Sequence, residues 1–188
     1  MTTTERRLVG HLNHVELVYR PGERALAKRV FELLGARVID PDGPFLIVQF
    51  DPATRDIVNN VLYASEVVPE QWRLEQELAG AIEGSGALAE SAHDYFGRLV
   101  REPQRSVHFG IHFADEATYE GTITAVQEAG EHDPELKGRI GVSGVFRPGD
   151  PGALTDTMIQ AFVRTDVVAS GLLALGQHVE LQYHLLPS

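Results

Sequence analysis

"HVELVYRPGERALAKRVFELLG", residues 14–35, changes its hydrophobic rhythm midway. Up to Tyr19 the side chains alternate: His14, Glu16 and Val18 fall on one side, and Val15, Leu17 and Tyr19 on the other, which is the period of a strand. Pro21 and Gly22 turn the chain. Ala25, Leu26, Val30, Phe31, Leu33 and Leu34 then recur at helical spacing, and Gly35 makes a natural C-cap. Beyond it, "ARVID", a "PDGP" turn, "FLIVQFD" and "NNVLYASEV" read as three further strands. The order is strand, helix, strand, strand, strand.

The same layout returns at residues 106–130, "SVHFGIHFADEATYEGTITAVQEAG". His108, Gly110 and His112 occupy one face of its opening strand, and Val107, Phe109, Ile111 and Phe113 the other. A helix follows, capped by Asp115 and expected to end at Gly130. "GRIGVSGVF", "TMIQAFVRT" and "HVELQYHLL" supply three more strands. A recurring order of elements marks a duplicated unit. The expected organisation is α+β: a first βαβββ module over residues 8–68, a helical connector over 69–105 and a second module over 106–188. In the connector, Trp72, Leu74, Leu78 and Ile82 suggest one helix, Leu88, Phe96, Leu99 and Val100 another, and "EGSG" the break between them. It reads as a packed connector, with a lid or a dimer contact as the other roles open to it.

Composition narrows the functional classes. The chain has 188 residues, 43% hydrophobic, with a formal net charge of -11. That is enough for one substantial core, and the acidity argues against nucleic acid as a partner. Without cysteine, disulfides and Cys-based zinc sites are excluded, and a reducing cytoplasm is the expected setting. "MTTTERRLVG" leads into no apolar run, and no stretch is long enough to span a bilayer, so neither export nor a membrane is expected. There is no G-x-G-x-x-G behind a strand, no P-loop and no H-E-x-x-H helix. Ser143 lacks the setting of a nucleophile elbow. His93 and His132 read as connector and loop residues, and His11 points away from His14 by parity.

The polar faces of the strands hold the candidate chemistry. The first strand of each half carries a histidine, His14 and His108. The last strand, "HVELQYHLL", places Glu180 between His178 and Gln182, with His184 on the same side. Two units that bring their polar faces together would close a cup. Two imidazoles and a carboxylate suit a divalent ion: Fe(II), Mn(II), Zn(II), Ni(II) or Co(II). Three protein ligands leave positions for water or substrate, as catalytic sites do. His112 and His184 are candidates to move protons, and Glu16, Gln182 and Tyr63 to support the ligands or contact substrate.

The stretches at 14–35 and 108–130 and the closing "GQHVEL" resemble the vicinal oxygen chelate superfamily, the glyoxalase I, bleomycin-resistance and extradiol dioxygenase group. The resemblance covers most of the chain outside about Pro69 to Arg105. It implies two βαβββ modules whose curved sheets enclose a metal held by His14, His108 and Glu180. Glyoxalase-like relatives carry a further ligand on the last strand of the first module. Matching Asn60 to His178 puts Leu62 there, with Glu66 farther along the same face; a shift of one residue presents Tyr63 instead. The two-His, one-Glu set resembles the facial triad of non-haem Fe(II) dioxygenases. Extradiol enzymes carry a tyrosine and an Asp-Pro-x-Gly turn before the last glutamate, and "FVRTDVVASGLLALGQHVE" has neither. The leading expectation is a dioxygenase-type oxidoreductase acting on a small oxygenated substrate, aromatic compounds included, as a monomer or homodimer. The alternatives are a Lewis-acid isomerase, lyase or epimerase with Glu66 or Glu16 shuttling a proton, and a metal-free binding or resistance protein.

Overall fold

The structure, a computed structural model, describes residues 12–51 and 60–185. His11, and the parts of the expected modules at 8–11, 52–59 and 186–188, lie outside the described residues. In the first half β1 (His14–Tyr19) leads into α1 (Arg24–Leu33), followed by β2 (Arg37–Ile39), β3 (Phe45–Gln49) and β4 (Val61–Glu66). The connector forms α2 (Pro69–Glu83), α3 (Ala87–Arg101) and a short 3-10 turn at Pro103–Arg105. The second half runs β5 (His108–Phe113), α4 (Glu116–His132), β6 (Ile140–Phe146), β7 (Met158–Thr165), β8 (Val168–Ala169) and β9 (Gln177–His184).

Strand order carries the duplication from sequence into space. The first sheet is ordered β2-β3-β4-β1-β8 and the second β5-β9-β7-β6. With β8 set aside, both place the first and last long strands of the half side by side and parallel. The helix between a module's first two strands provides the crossover. Neither sheet closes into a barrel. β8 was not expected. Its two residues carry no period of their own, and they become a strand by pairing with Val18 and Tyr19 of β1.

One apolar core runs under both modules. Leu26, Val30 and Phe31 of α1 and Tyr119, Ile123 and Val126 of α4 belong to the same buried cluster as Leu17, Leu62, Ile111, Val179 and Leu181. Gly35 (φ +88°) ends α1: its N–H bonds the Glu32 carbonyl and that of Ala36 the Phe31 carbonyl, at 3.1 and 3.0 Å. The second helix departs from expectation by running past Gly130 to His132. Gly130 is there for packing, because a Cβ at that position would stand 2.3 Å from the Ile140 carbonyl oxygen. Charged groups fasten the modules together at the edge of this core. Arg139 bonds Glu23 at 2.8 and 2.9 Å and Asp166 at 3.0 Å, and Arg20, just after β1, reaches Asp166. All are part-exposed, so each pair contributes modestly, about 0.5–1 kcal/mol.

The connector is packed, and a buried carboxylate fixes it. Glu75 of α2 is 2% exposed and accepts from the Leu173 and Ala174 N–H groups, both at 2.9 Å, and from Gln71. It thereby caps the short turn that leads directly into β9. Glu75→Ala, which strands two N–H groups, is expected to lower the free energy of unfolding by about 2–3 kcal/mol. Urea unfolding monitored at Trp72 measures this; an unchanged midpoint would show that the turn does not depend on α2.

Candidate functional site

The register of the second sheet assembles the site. β5 and β9 set His108 beside His178, Gly110 beside Glu180 and His112 beside Gln182. β7 adds Phe162 opposite Glu180 and Gln160 opposite Gln182. The alternate residues Ile111, Phe113, Ala161, Val163, Val179 and Leu181 go into the core shared with α4. The polar sets therefore share the other face.

Glu180 is 5% exposed on that face. His108 Nε2 lies 3.2 Å from its Oε2, Gln160 Nε2 donates to its Oε1, and Gln182 also hydrogen-bonds it. His108 Nδ1 stands 2.9 Å from the Ser106 carbonyl oxygen. A carbonyl can only accept, so Nδ1 carries a proton. On a neutral ring the Nε2 lone pair would then face a carboxylate oxygen. Something positive must lie between them: a proton on Nε2, or a metal ion. Nitrogen and oxygen donors converging in this way fit a divalent cation. Phe162 meets the His108 ring edge-on at 5.4 Å, with Phe146 5.9 Å beyond, so the floor of the site is apolar.

The electrostatics follow from these contacts. The Glu180 hydrogen bond raises the His108 imidazole, against burial, and the Ser106 carbonyl adds to the rise. Burial alone would raise the Glu180 carboxyl; the bonds from His108, Gln182 and Gln160 outweigh it and hold the group below the usual carboxylate range. His178, 2% exposed, is pushed down to about 4 by burial and then by the charges of Arg164 and His108. Its Nε2 lies 3.1 Å from the Ser143 hydroxyl.

The remaining sequence candidates divide. His112 and His184 come together, ring centroids 4.5 Å apart, on the same face. His14 does not join His108 and Glu180. Its Nδ1 is 2.6 Å from Asn13 Oδ1 and its ring 5.1 Å from Tyr63. It lines a cleft of about 150 Å³ with Asn13, Val61, Leu62, Phe109 and Gly110. Among the described residues no three His, Asp or Glu side chains are grouped to hold a metal, so the expected triad is present as a pair with His14 set apart. Glu16 accepts from the Ser65 hydroxyl at 2.6 Å. β1 and β4 align His14 with Val61 and Glu16 with Tyr63, so Tyr63 is the counterpart of Glu180. Glu66 shares the parity of the core-facing Leu62 and Ala64, and its carboxylate accepts from the Gly22 N–H at 2.9 Å. It supports a turn and takes no place on the polar face.

Sequence reasoning passed over Gln160 and His178. Alternation in "TMIQAFVRT" does put Gln160 and Phe162 on one face, and His178 shares the face of Glu180. What it could not supply was that β7 lies next to β9.

No family model and no curated protein matches the chain by sequence. Solved structures do match along nearly its whole length. Oxidase ChaP-H2 is 16% identical, covering 94% of this chain and 95% of that one, with a TM-score of 0.43. A glyoxalase/bleomycin resistance protein/dioxygenase from Alicyclobacillus acidocaldarius is 12% identical over 96% of each chain, TM-score 0.44. UcmS2 is 17% identical over 93% and 98%, TM-score 0.42. The chain has the paired-module α+β fold expected from its sequence. That statement rests on its own duplicated strand order, and at these identities the likeness is one of fold. Among the described residues, no helix is long and apolar enough to cross a membrane.

The titrating groups predict a pH profile for stability. His108, raised above 6.5, contributes fully below that value and loses its contribution as pH rises through its folded value. His178, lowered from 6.5 to about 4, acts in the opposite sense: its contribution is full above 6.5 and is lost as pH falls toward 4. Glu180, lowered from 4.5, adds to the loss only in stronger acid. The melting temperature is therefore expected to peak near pH 6.5. Calorimetry on His178→Asn should show a flatter acid limb and an unchanged alkaline limb; an identical acid limb would remove His178 from the account.

Proposed function

We propose that the chain is a metal-dependent enzyme of the dioxygenase type, acting on a small oxygenated substrate, with Fe(II) held at His108 and Glu180. The observation that carries this reading is the facing pair of acceptors, His108 Nε2 and Glu180 Oε2, at 3.2 Å. His14, on the wall of the adjoining cleft, is the candidate third ligand. Bound there, the ion would supply Lewis-acid and redox chemistry to a substrate chelating through two neighbouring oxygens.

The chain's own residues divide the remaining work. The Ser106 carbonyl fixes the His108 tautomer and aims Nε2 at the site. Gln160 and Gln182 hold the Glu180 carboxylate in one orientation. Phe162 and Phe146 keep water from the floor and so strengthen each polar contact above it. His112 and His184, farther along the face, are placed to give or take a proton at the substrate's rim. In the isomerase alternative Glu66 is engaged at the Gly22 turn, which leaves Glu16 as its proton shuttle. A metal-free reading keeps one observation in its favour: a proton on His108 Nε2 also satisfies the facing acceptors.

Elemental mass spectrometry on protein purified without oxygen or chelators separates these readings. The expected result is near-stoichiometric iron in the wild type, lost in Glu180→Ala. Stoichiometric Zn, Ni, Co or Mn would transfer the reading to Lewis-acid chemistry. A metal-free protein indifferent to added divalent ions would leave His108 and Glu180 as an ion pair in a binding protein.

A further inference from the structure

Gly110 occupies the one position on the inner face of β5 between His108 and His112. Its backbone does not require glycine, because its φ is not among the positive ones. Nor does packing: a Cβ there would meet the Glu180 Oε2 and the Gln182 side chain at 3.5 Å, an ordinary contact. Glycine inside a strand is otherwise unfavourable, and it tends to mark close approach by a ligand or another backbone. Here the neighbouring surfaces are closed. Phe162, opposite Glu180 on β7, is fully buried, Phe146 packs against it, and Gln104 bonds the Gly152 carbonyl at 2.9 Å beside Phe146. Gly110 itself is exposed, and it lines the same cleft as His14.

We propose that position 110 is the size-limiting gate of the site: a small ligand reaches the His108–Glu180 pair over Gly110, from the cleft that holds His14. The absent side chain sets how bulky that ligand can be. This rests on the reading of the pair as the functional centre. Alanine would narrow the gate, since its Cβ already touches the carboxylate. Valine would add two methyl groups from a Cβ in contact with Glu180, and would close the gate while suiting a strand.

The test is hydrogen–deuterium exchange at the imidazole C2 of His108, which proceeds through the protonated ring and so reads its access to solvent. It is followed by peptide mass spectrometry in metal-free wild type, Gly110→Ala and Gly110→Val. His132, exposed on the far end of α4, serves as the internal reference. His108 should exchange in the wild type, more slowly in the alanine variant, and about tenfold or more slowly in the valine variant, where exchange waits on local opening. His132 should exchange equally in all three. A His108 that does not exchange in the wild type, or equal His108 rates in wild type and Gly110→Val, would overturn the gate. Mn(II) binding is measured on the same proteins. If the wild type binds Mn(II) and Gly110→Val does not, gate and metal reading stand together. If the wild type binds none while His108 is still protected in the valine variant, the gate stands and the metal reading falls.

Discussion

A carboxylate removed from water must be given partners, and the second module is organised around meeting that demand at Glu180. Each strand next to β9 supplies one. β5 contributes His108, β7 contributes Gln160, and β9 itself adds Gln182. Because His108 is tied to the Ser106 carbonyl, the ring cannot turn away without leaving that oxygen unpaired. The connector takes part as well. Ser106 follows directly on the turn after α3, and Glu75 fastens α2 to the residues that open into β9. Position, tautomer and charge at the site thus depend on elements drawn from three parts of the chain.

The two modules share a scaffold and differ in what they place on it. Where the second has His108, His178 and Glu180, the first has His14, Val61 and Tyr63 at the corresponding positions of its parallel strand pair. The tyrosine packs between His14 and Phe45, both at 5.1 Å. The duplicated fold has therefore kept its polar faces but concentrated the buried charge in one half. The first module offers an aromatic wall and an imidazole, and that imidazole shares a cleft with Gly110, the neighbour of Glu180 on β5.

Much of this is legible in the sequence, because alternation and helical spacing report which side of an element is apolar. The two histidine-bearing strands, their helices, the connector and the inward face of "HVELQYHLL" all follow from period alone. β8 does not, since two residues have no period and become a strand only through β1. Nor does the reach of α4 past Gly130, because that glycine answers to a close approach by Ile140 of another strand and not to a helix end. β4 shows the deeper limit. "VLYASE" has apolar and polar residues on both faces, so pattern cannot choose between Leu62 and Tyr63. The alignment of Glu16 with Tyr63 makes the choice, and register belongs to the partner strand. For the same reason Gln160 was invisible as a partner of Glu180 until β7 was seen beside β9.

The central claim is that a positive group lies between His108 Nε2 and Glu180, and the nitrogen resonances of the His108 ring test it most directly. Long-range proton–nitrogen correlation spectra of metal-free protein near neutral pH should show both ring nitrogens protonated. Zn(II), a diamagnetic stand-in for iron, should then displace the proton from Nε2 alone, leaving Nδ1 protonated against Ser106. A neutral His108 ring in the metal-free protein, in either tautomer, would contradict the account.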